Sequence, residues 1–376
     1  MKWTFVTSLN QRCLFSGLSI NQCHQDSKPM SPADEREDST TDDAAELRIS
    51  DVIQDILSTL PPLPTSLHSR LNDAHCHPTD HPHTLSKLDR SASGTLCIMS
   101  TRPDDQSLVG DFAAKNPHVV PFYGHHPWYS HLFFVSSETA HYTSILKPCP
   151  PADFLGHLPA PISWTQTLLE LRKRLESNPR AQIGEIGMDK SFRLPTHLNG
   201  ERKGLSPYKT SAEHQSRMFV DQVRLAMELS RAVSVHSVQC HGILFQLLQS
   251  LWSELPTHAT NPEATTGIHR KPRICIHSAS IPPETLRQYI SPSVPWRVYF
   301  SFSMAINSRY GRKLVELIRA TPEDRILIES DWHSEGKMRR RQLVDIARVV
   351  IHVKQWDTNK GIDILERNFR AFVHGE

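Results

Sequence analysis

The chain has 376 residues, more than a typical single domain and enough for one α/β barrel with tails and insertions. Its 42 Lys and Arg against 40 Asp and Glu leave a formal net charge of +2, which excludes a global pull toward nucleic acid or membrane, so any nucleic-acid contact must come from a local patch. No apolar run approaches the roughly 20 residues that span a bilayer, and the 7 cysteines form no CxxC pair, a pattern of reduced thiols that points to cytoplasm or nucleus.

In chain order, the first 25 residues contain no Asp or Glu, and residues 26–46 are polar and acidic, so 1–46 is expected to be a disordered tail. One folded domain is expected over 47–376, opening with a short helix that stops at the prolines of ILSTLPPLP. From residue 71, short apolar runs end in a polar residue and alternate with helical stretches. The runs LNDAH, TLCIMS, VVPFYGHH, AQIGEIGMD, AVSVHS, RICIHS, RVYFSFS and ILIESDW read as eight strands, the number a TIM-type (β/α)₈ barrel requires. Helical periodicity is clearest at Phe219, Val223, Ala226 and Leu229, with further helices expected over 309–320 and 342–356. Residues 129–163 and 191–211 break the cadence after strand ends and read as insertions over the mouth of the site. The basic run Lys337–Arg341 is the candidate nucleic-acid patch, against the alternative of a solvated helix face.

Several of the strand ends carry chemistry. His75 and His77 close the first strand and, by alternation, share a face, where two imidazoles can hold one metal ion. The second such pair, His81 and His83, lies in a proline-broken loop and reads as surface. Gly124-His125-His126-Pro127-Trp128 is a turn that presents His126 to a metal or a substrate phosphate. Glu185 sits between glycines in an apolar run; burying it costs several kcal/mol, of the order given for polar burial, unless a cation or a buried Arg or Lys pairs with it. His236 and His277 end two apolar strands in the same way. Asp331 follows Ile326–Glu329 and is expected to complete a metal shell and take a proton from the attacking water, or else to cap the next helix. Histidines and carboxylates with open positions are what a hydrolytic metal site needs.

With these pieces in order (DAHCH at 73–77, GHHPW at 124–128, IGEIGMD at 183–189, Gln215 with Phe219 ahead of VSVHS, ICIHS at 274–278, SFS at 301–303, LIESD at 327–331 and a closing Asn368–Phe372), the chain resembles the TatD-like metal-dependent hydrolases, which include deoxyribonucleases. The resemblance covers about Leu71 to Phe372. It implies two divalent cations (Zn²⁺, Mn²⁺ or Mg²⁺), one held by His75, His77 and Asp331, the other by His236 and His277, with Glu185 bridging and His126 beside the scissile group. It departs from the family after His277, where Ser278-Ala279-Ser280-Ile281 replaces the usual Cys-Phe-Ser-Gly turn. The pattern is most similar to a divergent fungal branch, which implies a protein partner in a cell-cycle complex, a ubiquitin-ligase subunit, besides DNA or another phosphodiester. The expected activity is that of a two-metal phosphodiesterase, a deoxyribonuclease, with Asp331, Glu185 and His126 as catalytic residues. The alternatives are a small-molecule amidohydrolase or esterase, and a non-catalytic interaction scaffold. Many amidohydrolase barrels bridge their metals through a modified lysine where this chain has Glu185, which favours the phosphodiesterase by analogy.

Overall fold

The computed structural model describes residues 48–88, 94–198, 201–252 and 273–376; the tail expected over 1–46 lies outside them. Its main elements are α1 (Asp51–Thr59), β1 (Asp73–Cys76), β2 (Leu96–Met99), α2 (Gln106–Lys115), β3 (Val119–Tyr123), α3 (Trp164–Ser177), β4 (Gln182–Asp189), α4 (Ala212–Glu228), β5 (Val233–Val238), α5 (His241–Trp252), β6 (Arg273–Ile276), α6 (Pro283–Tyr289), β7 (Arg297–Phe302), α7 (Arg312–Ala320), β8 (Ile326–Ile328), α8 (Lys337–Val353) and α9 (Thr358–Val373). The eight strands form one parallel sheet in sequence order. Beyond β8 the backbone closes the circle, because Asp331 N–H donates to the His75 carbonyl at 3.0 Å and His77 N–H to the Trp332 carbonyl at 2.9 Å. The result is the expected (β/α)₈ barrel.

Each strand is buried on both faces, which is why it reads as a nearly continuous apolar run. Val120, Phe122, Cys97, Cys275, Tyr299 and Leu327 point inward, while Val119, Tyr123, Ile274, Ile276, Val298 and Phe300 pack under the helices. The C-terminal end of α9 plugs the interior: Phe372 is fully buried, with its ring 5.4 Å from Tyr299 and 6.2 Å from Phe122. Asn368 donates to the Glu323 and Ile326 carbonyls at 2.8 and 2.9 Å, which fixes the angle at which the helix enters.

Some boundaries differ from the sequence reading for local reasons. The helix expected from Arg309 begins at Arg312, because Gly311 takes φ +52° against Ser50, where an added Cβ would lie 3.1 Å from the serine oxygen. The last strand ends at Ile328, and Asp331 itself adopts φ +50°. The apparently unstructured 191–211 contains a hairpin, Pro195–Leu198 with Glu201–Leu205. The strand Lys209–Thr210 pairs with Leu146–Lys147 and so joins this segment to the one over 129–163. Leu194, Ile145 and Leu146 are buried together at that junction.

A correction concerns the basic run. Arg339 is fully buried, with Nη1 3.0 Å from Asp73 and Nε 2.8 Å from Glu335. Arg340 reaches Glu335 at 3.2 Å, whereas Lys337 and Arg341 stay exposed, Arg341 3.7 Å from Asp345, so Arg339 is withdrawn from the candidate nucleic-acid patch.

Candidate metal centre

The side chains singled out in the sequence converge at the C-terminal mouth of the barrel, where loops of this fold build sites. His75 comes from β1 and His77 from the turn after it; His126 from the turn after β3; Glu185 from within β4; His236 from β5; His277 from the first position past β6; and Asp331 from beyond β8. Glu185 does not mark its strand's end, since β4 stays paired with β5 as far as Asp189 opposite Val238. The glycine after it has a steric cause: a Cβ on Gly187 would lie 2.0 Å from the His236 carbonyl, with φ at +149°. His81 and His83 are not drawn in; His81 Nδ1 instead meets the His333 carbonyl at 2.8 Å.

Glu185 is the centre of the cluster, and its two oxygens face different groups. Oε2 lies 3.2 Å from His77 Nε2 and 3.5 Å from His75 Nε2, the same two nitrogens that stand 3.6 and 3.7 Å from Asp331 Oδ1. Oε1 lies 2.8 Å from His277 Nε2, 2.9 Å from His236 Nδ1 and 3.2 Å from His126 Nε2. Burial pushes the Glu185 carboxyl pKa up, but His126, His277 and His75 outweigh it and hold it well below the usual carboxylate range.

The outer hydrogen bonds decide which nitrogen lone pairs point inward. His75 Nδ1 meets Ser234 Oγ at 2.8 Å, and a proton there leaves Nε2 as an inward lone pair. His236 turns Nε2 toward Asp189 Oδ2 at 3.3 Å, which leaves Nδ1 facing Glu185. His277 Nδ1 faces Glu329 Oε1 at 3.5 Å without hydrogen-bond geometry, and its Nε2 points at Glu185. His126 is arranged the other way round: its Nδ1 accepts from Trp128 N–H at 3.2 Å, so the neutral ring carries its proton on Nε2 and presents a donor inward. Burial holds His126 near 4 and His75 near 3, so both rings are neutral at physiological pH.

These donors fit divalent cations. His75 Nε2 and His77 Nε2 approach to 2.9 Å around one buried carboxylate oxygen, and Glu329 Oε2 is buried without a hydrogen-bond partner. Neutral imidazole and carboxylate donors of this kind suit Zn²⁺ or Mn²⁺, and Mg²⁺ where oxygen donors predominate. Two groups each lie close enough together for one ion, His75 with His77 and Asp331 and His75 with His277 and Glu329; a third gathers Glu185 and His236 with His126, whose inward nitrogen carries the proton.

The sequence profile described as TatD related DNase matches residues 72–374. The chain belongs to the TatD family of metal-dependent hydrolases. It is 38% identical over 333 residues to the Cut9-interacting protein scn1 of Schizosaccharomyces pombe, covering 80% of this chain and 98% of that one. It is 34% identical over 280 residues to an uncharacterized deoxyribonuclease of Saccharomyces cerevisiae, covering 70% and 84%. The fold matches the TatD homolog YjjV of Escherichia coli (TM-score 0.53, 17% identity, 81% and 98% covered) and a TatD family hydrolase of Entamoeba histolytica (0.51, 15%, 80% and 97%).

Several residues of this TatD-family site were given no role from the sequence. Asp189 accepts from Trp128 Nε1 at 2.7 Å as well as facing His236, and Glu329 accepts from Ser278 N–H and Oγ at 2.7 and 2.6 Å. Gln215 and Gln222, two turns apart on α4, clamp the backbone: Gln215 accepts from Asp189 N–H and Gln222 from His125 N–H, each at 2.8 Å. Their signal was two glutamines seven residues apart on an apolar helix face. Asp73, first in its motif, is structural: it accepts from Ser330 N–H and Oγ at 2.9 and 2.6 Å and pairs with Arg339.

Proposed function

We propose that this TatD-family hydrolase cleaves phosphodiester bonds, with DNA as its substrate, using two divalent cations. The observation that carries the reading is the division of Glu185, whose Oε2 faces His75, His77 and Asp331 while Oε1 faces His236 and His277. In this reading those residues hold the cations, with Zn²⁺, Mn²⁺ and Mg²⁺ as candidates. Bound there, the ions would acidify the attacking water and offset charge growing on the phosphoryl oxygens.

The chain's own groups supply the rest. Asp331 takes the proton of the attacking water, and its left-handed backbone turns the carboxylate back toward β1. His126, kept neutral by burial and fixed in tautomer by Trp128 N–H, donates from Nε2 to a non-bridging phosphoryl oxygen. Asp189 and Glu329 face the outer nitrogens of His236 and His277 and so turn the other nitrogen of each ring inward, toward Glu185. A cleft of about 730 Å³ opens over these groups, walled by Trp128, Arg102 and Tyr310 among others.

The test is release of nucleotides from a labelled single-stranded DNA with added Mg²⁺ or Mn²⁺. We expect cleavage that EDTA abolishes; folded, metal-loaded protein that leaves the strand intact would contradict the reading and favour an ester or amide substrate. A protein partner is the second reading, supported by the name of the Schizosaccharomyces pombe relative. A complex that forms equally well with Glu185→Gln would assign it to a surface apart from the cations. No described helix is long and apolar enough to cross a membrane, and the buried free thiols of Cys76, Cys97, Cys240 and Cys275 support a reducing compartment, cytoplasm or nucleus.

A further inference from the structure

Beside the cleft lies a second cavity of about 350 Å³, within the range of small-ligand sites. The two share Ser280 and Tyr310, so Tyr310 stands on the wall between them. The second cavity is largely apolar, with Ile281, Pro282, Leu314 and Leu317 among its lining residues. Its floor is prebuilt: Asn307 donates to the Ser278 and Ala279 carbonyls at 3.2 and 3.0 Å and accepts from Ser303 N–H at 2.8 Å.

The rim is cationic and aromatic. Tyr310 is 39% exposed, unusual for a large ring, and the Arg309 guanidinium sits 5.0 Å from its centroid. Lys313 lines this cavity and Arg309 the adjoining cleft, and both, like the neighbouring Arg312, are exposed and form no ion pair among the described residues, in contrast to Arg339 and Arg340 of α8. Glu316 is the one carboxylate lining the cavity. An exposed ring flanked by unpaired cations, opening onto an apolar recess, is suited to a base with a phosphate attached, since aromatic stacking and backbone neutralisation are how single strands are held.

We propose that this cavity is a nucleotide subsite, in which the base next to the scissile phosphate stacks on Tyr310 against the apolar wall while Arg309 and Lys313 take the adjoining phosphate. It rests on the reading of the substrate as DNA. The enzyme then requires a strand with a base at that position, and the selectivity for polynucleotide over a small diester resides in the segment Arg309–Lys313.

The test is fluorescence anisotropy of labelled single-stranded dT10 bound to the full chain carrying Glu185→Gln, so that the strand stays intact. Tyr310→Ala is expected to weaken binding about tenfold, the size of one stacked base. R309E with K313E is expected to weaken it further and to reduce the slope of log affinity against log salt by about one or more. Arg367→Glu, on the helix that plugs the opposite end of the barrel, is the charge control and should change neither by more than about twofold. On a strand abasic at every position, Tyr310→Ala should have no effect. Equal dT10 binding by all variants, or an undiminished Tyr310→Ala effect on the abasic strand, would overturn the subsite. Binding that depends on Tyr310 in a protein that cleaves no DNA would uphold the subsite and end the reading of the reaction, so the two failures are distinct.

Discussion

Glu185 has two oxygens and five ring nitrogens within 3.5 Å of them, so its surroundings, more than its own chemistry, determine what it can do. All five rings were legible: His75, His77, His236 and His277 because strand-end imidazoles recur at equivalent points of the β/α units, and His126 because its Gly and Pro mark a turn that presents it. The residues that orient them were not legible, because Asp189, Ser234 and Glu329 look like ordinary strand-end polar residues until the strands are set side by side. Their effect is measurable. Asp189→Asn keeps the acceptor for Ser191 and Phe192 N–H but removes the charge facing His236. We expect it to weaken one of two bound cations by about 10- to 100-fold, read by metal titration, and to leave the other unchanged.

At the scale of elements, the barrel is held shut where β1 meets the segment after β8, and the fastener is a buried ion pair. Asp73 is bonded to Ser330 and to Arg339, which in turn holds Glu335 at the head of α8. Arg339→Met leaves the buried Asp73 without its cationic partner and Glu335 with Arg340 alone, and we expect a loss of about 3–5 kcal/mol in chemical denaturation, against less than about 1 kcal/mol for the exposed Arg341→Met. The sequence places Arg339 in a basic run, and composition cannot tell a buried arginine from a solvated one; only the distant Asp73 distinguishes them. The eight strands, by contrast, were legible because burial on both faces leaves an apolar signature that needs no partner to be read. The hairpin after residue 194 had no such signature, since its strands are short and polar.

For the whole molecule, pH is a global probe of how much imidazole is buried. His125 is 5% exposed, packed edge-on to Phe133 and Trp164, and burial, with the charge of Arg174, pushes it down to about 3. An unfolded histidine titrates near 6.5, so between the two values the unfolded chain binds a proton that the native chain refuses. The stability from a neutral His125 is therefore complete above about pH 6.5 and is lost as the pH falls toward 3. Relative to wild type, His125→Phe should flatten the decline in unfolding free energy between pH 6 and 4 by about 1.4 kcal/mol per pH unit, the full weight of one proton; an unchanged slope would mean that His125 is charged in the native state.

The proposed reaction requires Glu185 to join two cations in one hydrolytic centre. The decisive measurement is bound metal per chain and cleavage of single-stranded DNA, made together on wild type and Glu185→Gln. The prediction is two equivalents and EDTA-sensitive cleavage in the wild type, with fewer equivalents and cleavage reduced by at least about 100-fold in the variant. Full metal occupancy and undiminished cleavage in Glu185→Gln would contradict it.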